Sequence, residues 1–260
     1  MKIFLHSLLL SAVVLFCAAP QVNAMPVCRE SGGGKYFLVY SGNASQDLID
    51  NIVREADSIF LSVTKKMGVA DLLQWTGSNR IKIYIFDDRS QYQRNTGEPG
   101  WSDGSSIQKL RTIYSYAGAQ GFIGTALPHE IGHIIFRNLI GFENTGVPRW
   151  IEEGVSSLNE AKDHELLRST IENARSRGAL ISLHDLSRMD IRAVQDSAAI
   201  DLFYIQSYSI VKYLTDTFGW EKFLTVCRAL VSAKDIDSVI AQGFGFKDID
   251  ALEADWQRNI

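Results

Sequence analysis

Two histidines four residues apart place the strongest constraint on how this chain folds. His129 and His133 enclose Glu130 in a segment with apolar flanks. An α-helix turns about 3.6 residues per revolution, so positions i and i+4 lie on one face and both imidazoles can hold one ion. Glu130 lies beside that face, within reach of a water at the ion. A catalytic zinc uses three protein ligands and one open position, so a further ligand has to come from elsewhere.

The missing carboxylate is offered by a second segment, Trp150–Gly154, which reads Trp-Ile-Glu-Glu-Gly. Pro148 breaks the chain ahead of it and can start a new helix that brings a glutamate back past the histidines. For the first helix, Thr125 is the expected N-cap, which places Pro128 in the first turn, where its missing N–H costs little. A pair of histidines can also be ordinary core residues, but the two segments together favour a metal site.

Other zinc layouts are excluded by individual positions. A metzincin needs Gly at position 136 and a third His at 139, where this chain has Phe136 and Leu139. His164 and His184 remain as spare candidates, and their polar context without ligand-like spacing favours surface or capping residues.

The two segments resemble the gluzincin metallopeptidases, in the aminopeptidase-type pattern His-Glu-x-x-His followed by Trp-x-x-Glu-Gly. In length the chain looks most like the small MA-like peptidase domains. The resemblance implies that Glu153 is the third zinc ligand and that Glu152 points elsewhere. It also points to Glu160, one heptad later, as a partner that holds a ligating imidazole; a solvated glutamate on a helix face is the alternative.

The resemblance extends to Tyr204–Leu214, which is similar to the helix that carries a transition-state tyrosine in the aminopeptidase-type group. Its alignment on the small residue Ser207 places the phenol at Tyr204, with Tyr208 one turn later as the second choice. Both tyrosines could instead be packing residues of an amphipathic helix.

The chain departs from the aminopeptidase pattern ahead of the metal helix. No Gly-x-Met-Glu-Asn segment, which captures the free amine of a substrate in that group, is present. Lys109–Tyr116 instead alternates and is rich in β-forming residues, as expected of an edge strand that pairs with an extended peptide. Endopeptidase activity is therefore favoured over aminopeptidase activity.

The expected function is a zinc-dependent peptidase in which Glu130 is the general base for a zinc-activated water. His129, His133 and Glu153 are expected to hold Zn²⁺, and Tyr204 to stabilise the oxyanion. The alternatives are a secreted zinc-binding protein without turnover and a zinc hydrolase of non-peptide bonds. Peptides or proteins are the expected substrates.

The N-terminus predicts a secretory leader. Lys2 precedes the apolar run Ile3–Ala18, and Val22-Asn23-Ala24 then supplies the small-residue pattern of a cleavage site. Together they favour a signal peptide over residues 1–24 with cleavage after Ala24. We therefore expect a secreted or periplasmic protein without a membrane span in the mature chain. A lipoprotein site at Cys17 is disfavoured because Phe16 stands where a small residue is needed. The net charge of −4 gives no support for nucleic-acid binding.

The two cysteines after the leader leave an alternative open. In an oxidising compartment Cys28 and Cys227 could form one disulfide, and two free thiols are nearly as consistent with the sequence.

The periodicity predicts an α+β fold, with a small mixed β-sheet lobe over residues 25–120, a mainly helical lobe over 121–260, and the zinc cleft between them. Together they form a single domain, 25–260. Strands are predicted at Tyr36–Tyr40, Arg80–Phe86 and Lys109–Tyr116, and a polar loop with a short helix at 87–108. Helices are predicted at Ser45–Met67, the two metal segments, Asp163–Arg177, the Tyr204 segment, Trp220–Ser232 and Ile249–Trp256.

Overall fold

The computed structural model describes residues 28–260, apart from the side chain of His164. The predicted signal peptide, its cleavage after Ala24 and the lipoprotein alternative at Cys17 lie outside the described residues. Within this range the first part of the chain forms a mixed sheet with two interleaved helices and the second part is helical, as the α+β prediction requires. The division into lobes at residue 120 stays a prediction.

A single five-stranded sheet is formed within residues 28–260. Its strands are β1 (Arg29–Gly33), β2 (Phe37–Ser41), β3 (Ile81–Phe86), β4 (Ser105–Ile107) and β5 (Thr112–Tyr116), in the order β1-β2-β3-β5-β4. The central strands β2, β3 and β5 run parallel, and the two outer strands pair antiparallel with their neighbours. The sheet is therefore mixed, as the sequence predicted.

The edge strand is not the predicted one. β5, within the predicted Lys109–Tyr116 strand, lies inside the sheet between β3 and β4, and β4 forms the edge. β4 has three residues in a segment rich in Ser, Gly and Asp, where no alternation is visible, and it was predicted as part of a loop. A short 3₁₀ turn, Gln108–Leu110, ends at Arg111 with φ 50° and returns the chain into β5. The edge that faces the metal helix is thus built by the polar segment itself.

Two helices lie between the strands, and seven follow the last strand among the described residues, as expected for a helical second half. They are α1 (Gln46–Lys66), α2 (Arg89–Thr96), α3 (Leu127–Ile140), α4 (Arg149–Ser157), α5 (His164–Ser176), α6 (Leu183–Leu186), α7 (Ser197–Ala229), α8 (Ile236–Gly243) and α9 (Ile249–Arg258). Most start at a side-chain cap, as Ser45 does for α1 by accepting a hydrogen bond from the Leu48 N–H. The sequence did not predict α6 and α8.

One face of the sheet carries the core. Val39, Ile83 and Ile113 are fully buried on it and belong to one cluster with Phe60 of α1 and Ile134 of α3. Burial of such side chains is the main stabilising term in folding, at about 1.5–3 kcal/mol for each large apolar residue. This packing places α3, with both histidines, directly beside the sheet.

α7 joins the predicted Tyr204 and Trp220 helices across a break at Gly219, whose φ of 80° and ψ of 158° are not helical. Its first half packs against α4, and the approach is close at Gly154. A Cβ added at Gly154 would lie 2.4 Å from the backbone oxygen of Ser207. Only glycine fits there, and this contact holds the helix of Tyr204 against the helix of Glu153.

Cys28 and Cys227 are both free thiols. Of the two alternatives that the sequence left open, the structure therefore has the free thiols and not the disulfide. Cys227 is buried in the helical half, and burial raises the pKa of its thiol. No helix among residues 28–260 is long and apolar enough to cross a membrane.

Candidate metal centre

The helix that carries the two histidines begins differently from the prediction. A π-helical turn, Phe122–Ala126, leads directly into α3, whose N-cap is Ala126 without a capping side chain. Thr125 is therefore inside that turn and is not the N-cap. Pro128 does lie in the first turn of α3, as the sequence predicts.

Three side chains from α3 and α4 converge on one point. The Nε2 atoms of His129 and His133 are 3.0 Å apart. The Oε2 atom of Glu153 lies 3.4 Å from Nε2 of His129 and 3.5 Å from Nε2 of His133. All three side chains are at most 1 % exposed. The structure therefore brings together the three residues that the sequence predicted as ligands.

The outer nitrogen of each imidazole faces a second glutamate. His129 Nδ1 lies 2.8 Å from Glu160 Oε1, and His133 Nδ1 lies 3.1 Å from Glu152 Oε1. The predicted role of Glu160 in holding an imidazole matches this contact. Glu152 was expected to point elsewhere, and its contact with His133 was missed, because only the crossing of α4 over α3 creates it.

The donor chemistry of this cluster fits a divalent metal. An ionised carboxylate can only accept, so Glu160 and Glu152 require a proton on each Nδ1. Both Nε2 atoms of the neutral rings then present lone pairs to each other and to Glu153. These lone pairs and the carboxylate repel one another unless a cation lies between them. Zn–N bonds of 2.0–2.1 Å in a tetrahedral arrangement put two nitrogens about 3.3 Å apart, close to the spacing here.

Each glutamate of this group has a basic partner. The ion pairs are Glu152 with Arg137, Glu153 with Arg149 at 2.8 Å and Glu160 with Lys162 at 3.3 Å. Burial alone would raise the pKa values of these carboxyls, but their histidine and basic neighbours outweigh it. The pKa of Glu152 falls to about 2, and those of Glu153 and Glu160 are also lowered. All three are carboxylates at neutral pH.

The same carboxylates act on the histidines. Burial by itself lowers the pKa of His129, but Glu153 and Glu160 outweigh it and raise that pKa to about 10. The pKa of His133 is raised in the same way, with burial opposing and Glu153 and Glu152 prevailing. The carboxylates therefore attract positive charge to this centre, whether from protons or from a metal ion.

Glu130 has a different environment. It is fully buried, and its Oε2 accepts a hydrogen bond from the Ser106 hydroxyl of the edge strand β4. Its Oε1 has no hydrogen-bond partner among the described residues. Burial raises its pKa, opposed by the two histidines and by Ser106. A carboxyl with a raised pKa suits a general base, which has to take up a proton and release it again.

A second carboxyl with a raised pKa lies nearby. Glu98 follows α2, in the segment predicted as a loop, and is 9 % exposed. Burial and the charge of Glu130 raise its pKa to about 8. Neither Glu98 nor Ser106 was identified from the sequence. Their polar loop has no ligand-like spacing, and the only available signal was that this loop precedes a strand of the sheet.

Tyr204 is on the first half of α7 and is 2 % exposed. Burial and the charge of Glu153 raise the pKa of its hydroxyl well above the usual value, so it stays a neutral donor. Tyr208, one turn later, lies under the ammonium of Lys162, 5.7 Å from Nζ to the ring centre. The catalytic assignment of Tyr204 stays a prediction, but its electrostatic neighbours are those of the metal centre.

The spare histidines are elsewhere. His184 is half exposed and its Nδ1 lies 2.7 Å from Asp237, outside the cluster. His164 begins α5. Among the described residues, His129, His133 and Glu153 are the one group of His, Cys, Asp and Glu side chains arranged to hold a metal ion.

Comparison with known proteins gives one result that bears on this cluster. The family model described as the Peptidase MA superfamily matches residues 64–260. The match includes the edge strand, both helices of the cluster and the tyrosine helix. No curated protein matches the chain.

Proposed function

The chain belongs to the Peptidase MA superfamily, and from this premise we propose that it is a zinc-dependent peptidase of the gluzincin type, secreted or periplasmic. The observation that carries the proposal is the convergence of two imidazole nitrogens and one carboxylate oxygen within 4.8 Å of one another. His129, His133 and Glu153 would hold the ion. The secretory part of the proposal depends on the leader over residues 1–24 alone.

Zn²⁺ bound by these ligands supplies Lewis acidity, which activates water near neutral pH and polarises a peptide carbonyl. The remaining chemistry belongs to side chains. Glu130 takes a proton from the attacking water and later delivers it to the leaving amine. The Ser106 hydroxyl holds one oxygen of Glu130 in place, which leaves the other oxygen for the proton.

Tyr204 is proposed as the donor to the oxyanion that forms on the carbonyl. Its buried hydroxyl keeps its proton, and a donor of this kind is typically worth about 3–4 kcal/mol of transition-state stabilisation. The edge strand β4 is proposed to pair with the backbone of an extended peptide. An open edge suits a peptide that continues past the cleaved bond, which favours endopeptidase activity.

The test uses purified mature protein, residues 25–260. We expect about one zinc per chain by mass spectrometry of metals, and cleavage of a mixed peptide library identified by mass spectrometry of the fragments. Glu130→Ala is the matched variant and should keep the metal but lose cleavage. Zinc without cleavage in either protein would favour a binding role or a non-peptide substrate. A protein that takes up no zinc would refute the proposal.

A further inference from the structure

Arg149 is the first residue of α4, at the end of the helix where a basic side chain is least favourable. The N-terminus of a helix carries a partial positive charge, which repels a cation in the first turn. The order of its pair with Glu153 adds to this, because a basic residue four positions before a glutamate is the weaker of the two i,i+4 arrangements. The local chemistry of α4 therefore disfavours this arginine, and its favourable contacts lie at the metal centre instead.

The guanidinium of Arg149 lies close to two glutamates of the metal centre. Its Nη2 atom is 2.8 Å from Oε1 of Glu153, and its Nη1 atom is 3.9 Å from Oε2 of Glu152. Glu152 has Arg137 as a nearer basic partner, so the main contact of Arg149 is with Glu153. The side chain of Arg149 is 21 % exposed and that of Glu153 is fully buried. Solvent screens a charge pair enclosed to this degree only weakly, so the pair constrains the carboxylate of Glu153.

The two carboxylate oxygens of Glu153 have separate neighbours. Oε1 faces Arg149, whereas Oε2 lies 3.4 Å from Nε2 of His129 and 3.5 Å from Nε2 of His133. The last torsion of a glutamate side chain is broad and roughly two-fold, so the side chain alone does not decide which oxygen faces an ion. The contact with the guanidinium decides it, because turning Oε1 towards the histidines would break the ion pair.

From this geometry we propose that Arg149 is a positioning residue that restricts Glu153 to binding the metal through Oε2 alone. The inference rests on the proposed function, in which His129, His133 and Glu153 hold a zinc ion. Two imidazole nitrogens and one carboxylate oxygen are three donor atoms, which leaves one position of a tetrahedral ion for water. A glutamate that bound through both oxygens would crowd that position. Arg149 therefore keeps the metal centre open for the reaction.

This role predicts opposite changes in metal affinity and in activity when Arg149 is replaced. Removal of a positive charge close to the site favours a divalent cation there, and the second oxygen of Glu153 becomes available as a further ligand atom. The metal should therefore bind at least as tightly as in wild type, while cleavage falls. An arginine that only supported the fold of α4 would weaken both together, because a displaced Glu153 holds the metal less well.

The test compares wild-type mature protein, loaded with Zn²⁺ or Co²⁺, with three variants. Arg149→Met removes the charge and the donors and keeps the apolar stem, whereas Arg149→Lys keeps a charged donor. Arg168→Met is the matched control, because Arg168 forms the same i,i+4 pair with Glu172 at 3.2 Å on α5 and its side chain is 56 % exposed. Thermal unfolding of the metal-loaded proteins monitors the fold. Arg149→Gln, which also removes the charge, takes the place of Arg149→Met if that variant does not fold.

The visible spectrum of the Co²⁺ protein reports the number of ligand atoms, because four-coordinate Co²⁺ absorbs more strongly than Co²⁺ with five or six ligands. Wild type and the control should have the strong bands, Arg149→Met should lose intensity, and Arg149→Lys should recover part of it. Competition with a chelator should give Arg149→Met a Zn²⁺ affinity equal to or above that of wild type, with kcat/KM about 10–100-fold lower. An unchanged spectrum, or a joint loss of metal affinity and cleavage, would overturn the inference.

The spectrum and the metal affinity do not depend on turnover, so they separate this inference from the proposed function. If wild type cleaved no peptide, a Co²⁺ spectrum that weakens in Arg149→Met and recovers in Arg149→Lys would still support the positioning role. Cleavage by wild type together with one and the same spectrum in all variants would keep the peptidase and reject the role of Arg149. A wild-type protein that bound neither ion would refute both.

Discussion

The glutamates on the two sides of the metal centre differ in ion pairing and in the direction of their pKa shifts. On the helical side, Glu152, Glu153 and Glu160 are paired with basic residues, and their pKa values are lowered. On the side of the sheet edge, Glu98 and Glu130 form no ion pair with a Lys or Arg among the described residues, and burial raises their pKa values. Burial is similar on both sides, so the difference comes from the neighbouring charges.

This difference indicates how one cluster can perform two tasks. A carboxyl that stays ionised at all working pH values is suited to hold a cation and to orient imidazoles. A carboxyl whose pKa approaches neutrality is suited to exchange protons. The helical side therefore has the electrostatic properties that suit a metal-binding group, and the sheet edge has those that suit proton transfer.

The sharpest test of the comparison replaces one glutamate on each side. Glu130→Gln should keep the metal and lower kcat/KM about 10²–10⁴-fold, because only proton transfer is lost. Glu153→Gln should lose activity together with the metal, because a charged ligand is gone. Metal content and kcat/KM are measured on the same preparations. If Glu130→Gln lost its metal as fully as Glu153→Gln, the division between the two sides would fail.

A weaker effect is expected from the glutamates that hold the imidazoles. Glu160→Gln and Glu152→Gln should lower metal affinity about 10–100-fold, because each removes the negative charge that orients and polarises a ligating ring. Competition with a chelator of known affinity measures this change. Glu165→Gln on the exposed surface of α5 is the control. Unchanged affinity in both variants would mean that the ligands alone account for metal binding.

The raised pKa of Glu98 can be tested through the pH dependence of the free energy of unfolding. Its pKa in the folded protein, about 8, lies above the ordinary value of 4.5, so the folded state holds a proton that the unfolded state releases between these values. Stability therefore falls as pH rises through this window, because the folded state binds this proton more tightly than the unfolded state does. Glu98→Gln should remove this loss and be the more stable protein at the upper end. Urea unfolding at both ends of the window measures it, and equal slopes in both proteins would contradict the assignment.

The smallest expected effect comes from removing the Ser106 hydroxyl, which donates a hydrogen bond to Glu130. Ser106 donates to the ionised carboxylate, so Ser106→Ala should raise the pKa of Glu130 further. The acid limb of the kcat/KM profile should then move to higher pH, with about a three- to tenfold loss at neutral pH. Ser106→Thr keeps a hydroxyl and should restore the profile. An acid limb that stays in place in Ser106→Ala would show that another group sets it.

Much of the metal centre could be predicted from local sequence. His129 and His133 share a helix face because of helical geometry alone, and Pro148 marks the start of the helix that carries Glu153. The family resemblance pointed to Glu160 as a partner of a ligating imidazole, with a solvated glutamate as the alternative, and the structure places it against His129. By contrast, the N-cap of the metal helix and the edge strand were both predicted wrongly, because a π turn and a three-residue strand leave no periodic signal.

The sequence by itself determined the shared helix face of His129 and His133, the α+β class and the positions of the long helices, since these follow from spacing along a regular element. The tertiary structure alone decided which carboxyls are neutralised and which are not. Arg137 reaches Glu152 from another helix, and Ser106 reaches Glu130 from a strand 24 residues earlier. The pKa of a carboxyl depends on charges within a few ångströms in space, and distance along the chain does not report them.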